Sequence, residues 1–142
     1  MEDFFNMIID KLLANSYEID GMRFITPKKA YPLLKEGLLL IDLRPLSEST
    51  FKQAKVERLL LLPYTDFPDR IADIPTDHPI LIGDAVGIQT KNVYKELIKM
   101  GYRNVFALAG GFVDWERDGL PMEENVNQRL SGACVCQLKP RE

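Results

Sequence analysis

The chain of 142 residues is poor in the side chains that most often do chemistry. It has two cysteines, Cys134 and Cys136, one residue apart near the end, and one histidine, His78. Two cysteines so close together are no disulfide framework. Basic residues are not in excess: Lys and Arg total 18 against 21 Asp and Glu, a net charge of -3. That balance argues against a nucleic-acid binder or an acidic-membrane binder, both of which favour a basic face. No run is long and apolar enough to span a bilayer. The start, MEDFFNMIIDKLL, lacks a basic n-region and carries Glu2, Asp3 and Asp10 among its apolar residues, so it does not read as a signal peptide. The expectation is a cytoplasmic protein. What is present, 46% hydrophobic and 27% charged residues, suits one globular core and leaves little room for a second.

The order of elements follows from periodicity and breakers. In residues 2–16, Phe5, Ile8, Ile9, Leu12 and Leu13 keep helical spacing. This amphipathic helix either packs on its own domain or serves as a dimer or partner contact. Residues 18–23 read as a connection and Phe24-Ile25 as a short edge strand. Thr26-Pro27 then offers an N-cap followed by proline at the first helical position, and Gly37 ends the helix. Residues 38–43 are apolar except for Asp42 and do not alternate, the pattern of a strand buried on both faces in a parallel sheet. A helical turn is predicted at 47–52, strands at 59–62, 80–82 and 104–108, and a short helix at 69–72. Longer helices are predicted at 90–100, with Val93, Tyr94, Leu97 and Ile98 inward, and at 112–117, anchored by Trp115. Strands alternating with helices imply right-handed crossovers and a mostly parallel sheet. Residues 123–142 are polar, lack periodicity and read as a tail.

The stretch 79–90, PILIGDAVGIQT, combines a buried strand, a loop with Gly83 and Gly87, and a helix start. Backbone N–H groups converging in such a loop, with a helix dipole behind them, form an anion cradle. The candidate loop residues are Asp84, Ala85, Val86, Gly87, Ile88, Gln89 and Thr90, none of them basic. Asp84 has three readings: its carboxylate folds into the cradle and fills it, it merely caps the next turn or faces water, or it acts as an acid or base without an evident titratable companion. Asp42 and Arg44 close the strand at the sheet edge where open α/β folds place ligands, as an ion pair or as a pocket rim. His78, in the turn Asp77-His78-Pro79, reads as a surface residue.

In order, these pieces resemble a rhodanese domain over residues 22–122. Ile41-Asp42-Leu43-Arg44 resembles the family's first strand with its Asp-x-Arg ending. Phe51, Val56 and the strand ending in Pro63 resemble the next segment. Gly101-Tyr102, Asn104-Val105, Leu108, Gly110-Gly111, Trp115 and Gly119-Leu120-Pro121 resemble the closing signature. The resemblance implies an α/β fold with a mostly parallel five-stranded sheet and helices on both faces. To this the chain adds an N-terminal helical extension at 1–20 and a tail at 123–142. The resemblance also implies a sulfurtransferase loop, but with departures. Aligned on Gly87, the family's cysteine falls on Asp84 and its two basic positions on Ala85 and Gln89; only Gly87 and the Thr90 hydroxyl remain. Ala54-Lys55 replaces the family's Gly-His. The loop length fits the sulfur-handling members; the phosphatase relatives carry one residue more.

Sulfur transfer in the family runs through a thiolate that attacks a donor such as thiosulfate and holds the sulfur as a persulfide. A carboxylate cannot do this. Two functions therefore stand side by side. In one the domain is a pseudoenzyme that binds a protein partner or a small anion. In the other it carries sulfur on Cys134 or Cys136, which share a face if extended. Those thiols could also form a labile disulfide, supply half a metal site, or be adventitious. No cofactor or metal is expected, nor a nucleic-acid or membrane partner. A homodimer could form through the N-terminal helix or the tail.

Overall fold

The computed structural model describes residues 2–125. The chain opens with helix α1 (Glu2–Asn15), then a hairpin of β1 (Tyr17–Ile19) and β2 (Met22–Ile25). Helix α2 (Pro27–Lys35), strand β3 (Leu39–Asp42), the one-turn helix α3 (Leu46–Ser49) and strands β4 (Lys52–Ala54) and β5 (Leu59–Leu61) follow. A 3-10 turn at Ile71–Asp73 leads to β6 (Ile80–Gly83), α4 (Ile88–Lys99), β7 (Val105–Leu108), α5 (Gly111–Arg117) and β8 (Met122–Glu124).

Six strands form the main sheet in the order β1-β2-β7-β6-β3-β5. All neighbours run parallel except β1, which is antiparallel to β2. The five parallel strands are those the sequence implied; β1 is a sixth. Residues 18–23 are therefore not a connection. They hold a two-residue turn at Asp20-Gly21, both with positive φ (53° and 79°), which suits a primed hairpin turn. Consequently β2 is not an edge strand but lies between β1 and β7.

The lack of alternation in the central strands follows from coverage of both faces. Leu40, Leu81, Phe106 and Leu108 join Ile8, Leu12, Leu34, Phe112 and Trp115 in one core, under α1, α2 and α5. Their strand neighbours Ile41, Ile80, Ile82, Val105 and Ala107 join Val93, Tyr94, Leu97, Phe67 and Ile74 in the other, under α4 and the 3-10 segment. Successive side chains point to opposite faces, so every position must be apolar. Ile8 and Leu12 are fully buried, so α1 packs on its own domain. Burying two such side chains contributes roughly 3–6 kcal/mol.

A second, two-stranded sheet pairs β4 with β8 antiparallel. It corrects two boundaries. The predicted turn at 47–52 divides into α3 and the first residue of β4, and the tail boundary at residue 123 falls inside β8. Cys134 and Cys136 lie outside the described residues. Among the described residues no helix is long and apolar enough to cross a membrane.

Candidate functional site

The cradle forms where β6 ends at the carboxyl edge of the sheet. Leu43 N–H donates to the Gly83 carbonyl at 2.8 Å, tying the ends of β3 and β6 together. Gly83 itself has little choice of side chain, because a Cβ there would stand 3.1 Å from Leu108. The chain then turns through Asp84, Ala85 and Val86 to Gly87, whose φ of 99° is the left-handed conformation that starts α4. The helix begins at Ile88 rather than Thr90, because Gly87 completes the turn earlier than the apolar periodicity suggests.

The Asp84 side chain turns inward and is 6% exposed. Its Oδ1 accepts hydrogen bonds from Gly87 N–H at 2.7 Å and from Thr90 Oγ1–H at 2.7 Å, and its Oδ2 accepts one from Gln89 N–H at 3.0 Å. The carboxylate is thus held by the loop's own N–H groups and by a hydroxyl that is itself buried. Charge-assisted bonds of this length are the strong kind. Both carboxylate oxygens point at the loop rather than at solvent, so the side chain is poorly placed to exchange protons with a bound molecule.

The loop's backbone is gripped from behind by α5. Phe112 N–H donates to the Asp84 carbonyl at 2.9 Å and Val113 N–H to the Ala85 carbonyl at 3.0 Å. This contact requires Gly111. A Cβ there would lie 2.4 Å from both the Asp84 and Ala85 carbonyl oxygens, at a φ of 65°. Gly110-Gly111 was legible as a tight turn before α5; that the turn is the seat of the cradle was not.

Asp42 and Arg44 form a buried ion pair. Arg44 Nη2–H donates to Asp42 Oδ2 at 2.8 Å and Nε–H to Oδ1 at 3.1 Å, with side-chain exposures of 7% and 0%. Arg44 Nη2 also donates to the Lys52 carbonyl at 2.8 Å, and the guanidinium sits 4.5 Å over the Phe112 ring. The pair therefore joins β3, β4 and α5, and supports the cradle through Phe112. A cavity of about 120 Å³ lies beside the loop between Tyr64, Phe67, Gln89 and Asn92. His78 is far from this edge. Its ring lies against that of Phe5, with centroids 4.2 Å apart and the planes tilted by 38°, and it lines an open cleft of about 510 Å³ with Leu39 and Leu59, which begin β3 and β5. Among the described residues no three His, Cys, Asp or Glu side chains gather as metal ligands. Around the mouth of the loop Val86, Ile88 and Val113 are exposed.

A family model described as a rhodanese-like domain matches residues 26–118. The thiosulfate sulfurtransferase GlpE of Actinobacillus succinogenes is 33% identical over 101 residues, covering 70% of this chain and 88% of its own length. The protein of the same name from Haemophilus influenzae is 32% identical over 100 residues, covering 70% and 92%. Among solved structures, a rhodanese-related protein from Thermoplasma volcanium superposes with a TM-score of 0.62 at 18% identity, covering 70% of this chain and 95% of that one. A rhodanese-like domain protein from Staphylococcus aureus gives 0.62 at 22% identity, covering 72% and 100%.

Proposed function

The chain belongs to the rhodanese-like domain family, and from that premise we propose that its loop does not transfer sulfur but serves as a rigid surface that binds a protein partner. Asp84 stands where the family places its cysteine. The sulfurtransferase named in the relatives needs a thiolate that attacks the donor's outer sulfur and holds it as a persulfide. A carboxylate is too poor a sulfur nucleophile and forms no stable counterpart of the persulfide. Ala85 and Gln89, where the family places basic residues, leave an anionic donor without a cation to hold it.

The observation that carries the reading is the three-bonded Asp84 carboxylate. The cradle that would hold a thiolate, a persulfide or a free anion is filled by the chain's own side chain. That favours a protein partner over a small anion as ligand. The loop keeps the conformation of an anion-filled cradle whether or not a sulfur donor is present.

The test is thiocyanate formation from thiosulfate and cyanide by the full chain, beside an active sulfurtransferase. No thiocyanate above the uncatalysed rate is expected; turnover near that of the active enzyme would overturn the reading. Mass spectrometry after incubation with a sulfane-sulfur donor covers the tail thiols. A gain of one sulfur atom on Cys134 or Cys136, lost in Cys134→Ser/Cys136→Ser, would assign sulfur carriage to the tail instead.

A further inference from the structure

The reading of the loop as a protein-binding surface leaves open what it binds, and the inference here rests on that reading. Three apolar side chains crowd the cradle's mouth: Val86 at 56% exposure, Ile88 at 67% and Val113 at 51%. They are neighbours. Val86 and Ile88 flank Gly87, and Val113 sits against the loop because its N–H bonds the Ala85 carbonyl at 3.0 Å. Large aliphatic side chains this exposed, grouped around one loop, mark an interaction site more often than scattered single ones do.

From Ile88 a polar stripe runs along α4. Lys91 and Lys95 follow at i+3 and i+7 and are exposed, whereas Val93, Tyr94 and Leu97 are buried. Among the described residues neither lysine forms an ion pair. Glu96, next to Lys95 on the same helix, pairs with Lys99 at 3.4 Å. The face is thus apolar at one end and carries two uncompensated positive charges along its length.

We infer that this face docks an acidic segment of a partner protein, with an apolar side chain seated on Val86, Ile88 and Val113 and carboxylates reaching Lys91 and Lys95. A rise of about 1.5 Å per residue sets the two lysines roughly 5 and 10 Å along the axis from Ile88. The partner's carboxylates therefore lie one and two helical turns' length from its apolar anchor. A lipid surface fits less well. Two lysines fall short of the four to eight basic residues that read as binding to anionic lipid, the apolar group holds no aromatic or leucine, and the chain is net negative at -3.

The experiment selects peptides from a random-sequence display library on the full chain and measures their binding by fluorescence anisotropy. Enriched peptides carry an apolar anchor with Asp or Glu at that spacing. Ile88→Asp weakens them by at least about tenfold through loss of the apolar seat. Lys91→Glu/Lys95→Glu weakens them by about tenfold and makes basic peptides the better ligands. Lys28→Glu/Lys29→Glu, the same charge change on α2, leaves them unaffected. Circular dichroism confirms that these surface variants are folded. Peptides indifferent to Ile88 and Lys91, a preference of the unsubstituted chain for basic peptides, no enrichment at all, tighter association with phosphatidylserine vesicles than with any peptide, or self-association abolished by Ile88→Asp would each overturn the inference. None of these outcomes bears on thiocyanate formation, so failure here is distinguishable from failure of the non-transferase reading.

Discussion

Replacing Asp84 by alanine tests the filled cradle directly. The substitution removes the acceptor of three hydrogen bonds and leaves Gly87 N–H, Gln89 N–H and the buried Thr90 hydroxyl without their partner. Hydrogen bonds to a charged group are worth about 1.5–3 kcal/mol each, so three independent losses would sum to roughly 5–9 kcal/mol. That sum overshoots, because the loop is at the surface and water can enter the space left by the carboxylate and bond the freed N–H groups. A loss of about 2–4 kcal/mol is the expected outcome. For a domain of this size it corresponds to a Tm lower by roughly 6–12 °C. Urea unfolding of the full chain at neutral pH measures the loss, and thermal unfolding checks it. A second readout follows from the emptied cradle. Sulfate or thiosulfate at ten times its Kd should return about 1.4 kcal/mol to Asp84→Ala, and little to the unsubstituted chain, whose site is occupied. A destabilisation below about 0.5 kcal/mol would show that the carboxylate contributes no net stability where it sits, and would refute the argument from its hydrogen bonds.

Asp84→Cys alone should produce no more than trace thiocyanate, because Ala85 and Gln89 still leave the donor unheld; activity near that of an active sulfurtransferase in the cyanide assay would contradict this. Gly111→Ala should cost at least about 2 kcal/mol in urea unfolding, since its Cβ meets two carbonyl oxygens at 2.4 Å. Gly87→Ala, with a φ of 99° but open space around it, should cost only about 1 kcal/mol, and equal losses at the two sites would show that the contact with the loop is unimportant. Tyr102 donates from its hydroxyl to the Ile74 carbonyl at 2.8 Å, and burial raises its pKa above the ordinary 10.0. Because the folded value lies above the unfolded one, its contribution is whole below pH 10 and is lost as pH rises through the folded value. Tyr102→Phe should therefore cost about 1 kcal/mol at neutral pH and flatten the alkaline fall in stability.

The parts of the fold that could be read beforehand are those where one physical rule decides the residue. Strands β3, β6 and β7 are covered on both faces, so apolar runs mark them without ambiguity. The parts that could not be read are pairings made at long range by short polar segments. Lys52-Gln53-Ala54 and Met122-Glu123-Glu124 have no strand pattern of their own and pair across about seventy residues. The β1–β2 hairpin lies between these cases. Asp20-Gly21 is a strong turn signal, and Tyr17-Glu18-Ile19 alternates, but three exposed residues are too few for periodicity to show.

The site divides along the same line, and the division bears on what holds the cradle in shape. The strand, the loop and the helix start were legible because each is a local pattern. The support was not, because it is a set of contacts between elements distant in sequence. Arg44 joins Asp42, Lys52 and the Phe112 ring, and Phe112 and Val113 hold the loop's carbonyls. These groups fix the loop's backbone from outside the cradle and do not depend on what fills it. Gly87 N–H and Gln89 N–H, turned inward by that backbone, still require an anion or water. Asp84 supplies the anion from within the chain. A neutral isostere meets this requirement less well: in Asp84→Asn one amide oxygen can face Gly87 N–H, but the amide NH2 then faces Gln89 N–H, donor against donor. Asp84→Asn should therefore be destabilised almost as much as Asp84→Ala despite its matching shape, and equal stability of Asp84→Asn and the unsubstituted chain in urea would show that shape, not charge, is what the cradle selects.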